Sequence, residues 1–159
     1  MTSMNYVRII VVYFFLLLAS CTNQKPEAID FHKDSCHYCK MVITDKRFGA
    51  EIVTAKGKIY KFDALECMQN FVHNHPEKIG KNHKKYVVDT SASSKEVRLL
   101  PVEDAIYYVD PRIRSPMGRG YMTSDSDEGL RTLVGSEKAK EFIRWNELLP
   151  TLPSAKMGP

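Results

Sequence analysis

Soft sulfur donors are concentrated in two short motifs, Cys36-x-x-Cys39-x-Met41 and Cys67-Met68. Thiolate and thioether groups suit monovalent copper or, for thiolate, zinc; they do not suit magnesium or calcium. Three chemistries are open to this set. Structural zinc takes four ligands, commonly from paired motifs. Cys36, Cys39 and Cys67 would then need a histidine, and His37, His73, His75 and His83 are available on spacing, yet a second Cys-x-x-Cys is absent. A thiol–disulfide exchanger carries its Cys-x-x-Cys after a strand and at the opening of a helix. Cys36-His37-Tyr38-Cys39 has that spacing but precedes strand-like segments. Copper(I) uses thiolate and thioether together, and a methionine cannot be lost to a disulfide outside the cytoplasm. Met117 lies between Pro116 and Gly118, a loop context in which core filling explains it poorly. Met68 and Met122 fall in regular elements, where filling gaps in a core is a sufficient role, and Met157 falls in the tail.

The elements that must position these residues follow from periodicity. Cys36 to Met41 reads as a knuckle. Phe48–Thr54 alternates as a strand, the turn Ala55-Lys56-Gly57-Lys58 follows, and Ile59–Phe62 completes a hairpin. Asp63 is placed to cap a helix, with Glu66 at capping-box spacing. Leu65, Met68, Phe71 and Val72 then recur at helical intervals until His73-Asn74-His75-Pro76. Cys67 falls in the first turn, where the helix dipole favours thiolate. Tyr86–Val88 is a further strand, so residues 35–90 read as a ββαβ unit. After a polar linker from Ser91 to Lys95, residues 91–150 read as a second β/α unit. It has strands at Ala105–Val109 and Tyr121–Thr123, the Met117 loop between them, a helix from about Glu128 capped by Ser124 or Asp125, and helical character over Lys138–Leu149. Tyr60, Asp63 and Glu66 are echoed by Tyr121, Ser124 and Asp127, as in a duplication. The fold class expected is α+β, from two small ββαβ-like units, with residues 151–159 a tail.

The 159 residues carry a net charge of +4 without a concentrated basic face, which argues against nucleic-acid binding. A Ser/His/Asp triad, a phosphate loop and paired catalytic carboxylates are all absent, so the reading is a binding protein and not an enzyme. Residues 1–20 have the form of a secretory signal: Arg8, then the apolar run Ile9–Ala19. Leu18-Ala19-Ser20-Cys21 resembles a lipobox, in which cleavage leaves Cys21 as a lipid-modified N-terminus. Cleavage removes one charge, that of Arg8. Residues 21–34 then read as a membrane-anchored tether, with the protein in the cell envelope facing the periplasm or exterior. With Cys21 acylated, three thiols remain, an odd set for a disulfide framework.

Cys36-x-x-Cys39-x-Met41, Phe48-Gly49-Ala50-Glu51-Ile52, Gly57-Lys58-x-Tyr60-x-Phe62-Asp63-x-x-x-Cys67-Met68 and the later Met117-Gly118 together resemble the NosL family, over about Cys36 to Trp145. The resemblance implies a lipid-anchored copper-binding accessory protein of nitrous oxide reductase, carrying Cu(I) toward the enzyme's copper–sulfide centre. It also implies work beside an ABC-type transporter and its periplasmic partner, on a fold of two related ββαβ units. By the same resemblance Cys67 and Met117 are the foremost copper ligands, with Cys36, Cys39 and Met41 a second sulfur group. Lys40 stands where many members of the family carry glycine.

Overall fold

The structure, a computed structural model, describes residues 24–92 and 97–152. The signal segment, the lipidation position Cys21 and the tail with Met157 lie outside the described residues, as does part of the expected linker. β1 (Ala50–Thr54) and β2 (Ile59–Phe62) form the expected hairpin, and α1 (Leu65–Asn74) follows. Pro76 starts a separate short helix, α2 (Pro76–Ile79), because a proline is tolerated in a first turn but not in a helix interior. β3 (His83–Val88) and β4 (Leu99–Pro101) complete a four-stranded antiparallel sheet in the order β2-β1-β3-β4. The second sheet has the order β6-β5-β7, from β5 (Ile106–Val109), β6 (Tyr121–Ser124) and β7 (Ile143–Arg144). Helix α3 (Asp127–Val134) lies between β6 and β7, and α4 (Trp145–Leu148) closes the described chain with a 3-10 turn after it. The class is therefore α+β, as expected.

Both units repeat one topology: a first strand in the middle, its hairpin partner on one side, and the strand after the helix on the other. Ala50 pairs with Phe62 and Val87, as Ile106 pairs with Ser124 and Arg144. This register makes Met122, not Tyr121, the counterpart of Tyr60, so the sequence echo is displaced by one residue from the structural repeat. The counterpart of Cys67 is Gly129. A Cβ there would come within 2.2 Å of Ser124 Oγ and 2.6 Å of Ser91 Oγ.

Three expectations are corrected. Ser126, and neither Ser124 nor Asp125, caps α3, accepting from the Gly129 N–H at 3.2 Å. Lys138–Leu149 is not one helix: a 3-10 turn over Ser136–Glu141 ends at Phe142, and Ile143-Arg144 pairs with β5 before α4 begins. β-Branched and aromatic residues at 142–143 side with the sheet. The described part of the tether is packed onto the domain, because Ile29 and Phe31 are apolar anchors two positions apart and both are buried. Gly49 makes room for them, since a Cβ there would meet Ile29 Cδ1 at 2.6 Å.

That N-terminal segment covers the sheet face opposite α1. Lys61, Glu51 and Tyr86 form a row across β2, β1 and β3. The Lys61 ammonium donates to Ala28 O at 2.9 Å and pairs with Asp34 at 2.7 Å, and the Tyr86 hydroxyl donates to Gln24 O at 2.7 Å. Glu51, fully buried, accepts the Glu27 N–H at 2.9 Å but leaves Oε2 without a partner. The units meet through β3 and β6. Thr90 N–H donates to Thr123 O at 2.8 Å, the Thr123 hydroxyl donates to Val88 O, and Arg98 bridges the buried Asp89 to Asp125.

Burial pushes the Glu51 carboxyl up to about 7 from an ordinary 4.5. The neutral form therefore favours the fold below pH 4.5, and that advantage is lost as pH rises through about 7. Glu51→Gln is expected to raise stability at pH 8 by about 1–2 kcal/mol, with the gain vanishing near pH 4.5. Denaturant midpoints at the two pH values check this; equal gains at both would contradict it.

Candidate metal centre

The knuckle is built by backbone hydrogen bonds. Cys36 N–H donates to Met41 O at 2.8 Å and Lys40 N–H to Cys36 O at 3.0 Å, while Ser35 bridges to Val42. The turn closes only with Lys40 in the left-handed region, at φ 66°. His37 fastens the knuckle to β2: its N–H donates to Lys61 O at 2.9 Å, and its ring Nδ1 accepts the Lys61 N–H at 3.1 Å. That nitrogen is thereby committed to the sheet. Beyond β2, the chain turns into α1 and carries Cys67 into its first turn, facing the knuckle.

The sulfurs of Cys36, Cys39 and Cys67 consequently lie within 4.8 Å of one another. Cys36 and Cys67 are fully buried, and Cys39 is partly exposed. All three are free thiols. Three sulfurs around one metal at about 2.3 Å each would sit about 4 Å apart, so closing on an ion needs only a small contraction. Among the described residues no histidine, carboxylate or further cysteine joins the group.

The cluster holds negative charge unevenly. Cys36 is pushed down to about 5, chiefly by the Cys67 thiol donating to it, and also by the N–H groups of Asp63, Cys39 and Tyr38. Cys67 is pushed up, first because it is that donor and then by burial. Burial also raises Cys39, against the Met41 N–H that favours its thiolate. The dipole reading, which favoured a thiolate at Cys67, is thus reversed within the trio: a neighbouring sulfur and a full set of N–H donors outweigh a helix start.

Two carboxylates at the site escaped sequence reasoning. Asp63 does not cap α1; the cap position is Ala64, which offers no side-chain bond. Asp63 is instead buried, with Oδ1 unpartnered, and burial followed by the Cys36 charge pushes it up to about 6. Glu66 is also no capping-box partner. Its buried carboxylate accepts the Arg119 N–H, tying the start of α1 to the Met117 loop. Capping is a sufficient reason for both residues in sequence, and nothing in the pattern separates it from burial at a joint.

The Met117 loop is shaped by left-handed glycines. Gly118 has φ 77° and Gly120 has φ 67°, and a Cβ at Gly120 would come within 2.0 Å of Asp110 O. Ser115 closes the turn, its carbonyl accepting Gly118 N–H at 3.0 Å and its hydroxyl accepting Gly120 N–H at 2.9 Å. Met117 is half buried and packs against the same core as the three cysteines. Met41 is 48% exposed and lines a cleft of about 390 Å³ between the units, with Asp63, Arg47, Arg114 and Pro116. The structure therefore gathers Cys36, Cys39 and Cys67, packs Met117 against the same core, and leaves Met41 exposed in the cleft between the units.

The NosL family model matches residues 28–145. Among solved structures, the chain is similar to the crystal structure of the copper chaperone NosL from Shewanella denitrificans. The identity is 22% and the TM-score 0.59, covering 79% of this chain and 96% of that one. A search of curated proteins finds no significant match.

Lys40 lies in the left-handed region, where an L side chain is strained and glycine is not. Lys40→Gly is expected to stabilise the fold by about 0.5–1 kcal/mol, whereas Lys40→Ala, which keeps the Cβ, gains nothing. Thermal denaturation of the two variants checks this.

Proposed function

Because the chain belongs to the NosL family, we propose that it is a copper chaperone that holds one Cu(I) in an all-sulfur site and passes it on. The observation that carries this reading is the trio Cys36, Cys39 and Cys67, drawn within 4.8 Å in a largely dry setting. Soft, polarisable donors favour the monovalent ion, and a low-coordinate ion is served by the three sulfurs gathered. Zinc in a closed structural site takes a fourth ligand, and none joins the group among the described residues. Disulfide exchange is disfavoured because attack requires an accessible thiolate, while Cys36 is fully buried in a knuckle and opens no helix.

Cys67 and Met117 are the ligands proposed as foremost, one from each side of the joint between the units. Cys36 and Cys39 supply the other thiols, and Met41 at the cleft mouth is the thioether that an arriving or departing ion meets first. Burial of the ion is tolerable because thiolate charge in the trio offsets its own. A partner that supplies replacement sulfurs through the cleft would take the ion in steps, without releasing it to water.

The family's role extends the proposal. The protein, lipid-anchored at Cys21 in the cell envelope, would deliver copper for the copper–sulfide centre of nitrous oxide reductase, beside an ABC-type transporter and its periplasmic partner. The role is one of binding and transfer, without catalysis.

Under competition with a Cu(I) chelator, Cys67→Ser is expected to weaken copper binding by at least about a hundredfold, with Met117→Leu giving a smaller loss. Affinity in the parent should fall as pH falls, because protons compete for the thiolates. Unchanged affinity in the variant carrying both Cys67→Ser and Met117→Leu, or stoichiometric zinc binding with no preference for copper, would overturn the reading.

A further inference from the structure

Lysines that are scattered in the sequence, where no concentrated basic face is legible, are gathered by the fold at the end of the first sheet farthest from the thiols, a face that the copper site does not use. We propose that this face docks on an anionic bilayer surface, a proposal that builds on the lipid-anchor reading above and fixes how the anchored domain stands. The β1–β2 turn, α2 and the loop into β3 surround a shallow cleft of about 350 Å³. Lys56, Lys58, Lys78 and Lys81 ring it, all exposed, against the single acid Glu77. Glu77 faces His75 at 3.6 Å. Among the described residues these four lysines take part in no ion pair, while Lys33, Lys61 and Lys138 each do. Two lie over aromatic rings: Lys58 is 4.8 Å from the centre of Tyr60 and Lys78 is 5.8 Å from that of Phe71. In both it is the ammonium nitrogen that lies over the ring, which holds the charge in place on an exposed side chain where a planar field of phosphates can reach it.

The chain's own connection points to the same face. Gln24, the first described residue, donates to Asn82 O at 3.0 Å, and Asn82 lines this cleft. Cys21 lies three residues earlier, which is at most about 11 Å of chain. An acyl chain on Cys21 would thus enter the bilayer close to the lysine ring, giving the two signals that a stable anchor requires. Each lysine held near an anionic surface raises partitioning about fivefold, and the effect acts within a screening length of about 10 Å.

The thiol cluster is at the other end of the same strands. β2 begins at Ile59 beside the lysine cleft and ends at Phe62, next to the Asp63 N–H that binds Cys36. Four residues of strand hold the two apart by about 13 Å. Docking by the lysines therefore turns the copper site toward the aqueous side, where a partner reaches it.

The test uses the full chain reconstituted in vesicles of phosphatidylcholine alone, or of equal parts phosphatidylcholine and phosphatidylglycerol. Acetylation rates of individual lysines are read by mass spectrometry, with the exposed Lys46, which lies toward the knuckle, as internal control. At about 0.05 M salt, Lys56, Lys58, Lys78 and Lys81 are expected to react at least about threefold more slowly on the anionic vesicles, with Lys46 unchanged. The difference should disappear near about 0.5 M salt. Equal rates on both vesicles, an equal slowing of Lys46, or equal protection by inorganic phosphate on the neutral vesicles would overturn the proposal. Flotation with the neutral vesicles reads the anchor separately. A chain that floats without lysine protection refutes the face alone; one that fails to float yet is protected on anionic vesicles refutes the anchor alone.

Discussion

Three thiols held together in a protein interior impose a constraint that the rest of the fold answers. Sulfur is a weak hydrogen-bonding group, so a buried thiol trio can be arranged by the backbone without leaving strong polar groups stranded. The knuckle supplies N–H donors to Cys36 and Cys39, and the turn after β2 adds that of Asp63. The helix start then delivers Cys67 from a third direction. His37 locks the knuckle to β2 through two backbone groups of Lys61, so the distance between the Cys36 and Cys67 sulfurs is set by sheet register and not by loop choice. The cost of this arrangement is local: Lys40 is strained, and the Asp63 carboxylate is buried with an oxygen unpartnered.

The two-unit architecture gives that constraint a place to act. The same topology is used twice, but only the first copy carries sulfur at the helix start. Gly129 in the second copy leaves room for the Ser91–Ser124 contact that joins the units. Around it, Arg98 ties Asp89 to Asp125, and Thr90, Thr123 and Val88 exchange hydrogen bonds. One copy therefore holds the thiols while the other is specialised for joining. Through the Glu66 carboxylate and the Arg119 N–H, the joint also ties the Met117 loop to the start of α1, and Met117 packs against the core that includes the thiols.

Much of this was legible in the residues. Alternation and turn chemistry located β1, β2, β5 and β6 closely, and Cys-x-x-Cys-x-Met with Cys-Met marked the sulfur set. What escaped reading was tertiary in origin. Asp63 and Glu66 satisfy a capping pattern on paper, yet the second unit covers that end of α1 and buries both. Ile29 and Phe31 lie in a polar stretch, and only the open surface over Gly49 turns them into anchors. Ile143-Arg144 reads as helix from local pattern alone, because its pairing with β5 is decided by partners 36 and 38 residues away. The grouping of Cys36 and Cys39 with Cys67 was equally beyond spacing, since it depends on how the knuckle folds back onto the strand.

The central claim, that copper is held by sulfur alone at the joint of the two units, is tested most directly by X-ray absorption at the copper edge on the Cu(I)-loaded protein. The account predicts a first shell of sulfur scatterers near about 2.3 Å, with one fewer in Cys67→Ser. A shell of nitrogen or oxygen scatterers, or one unaltered by that substitution, would contradict it.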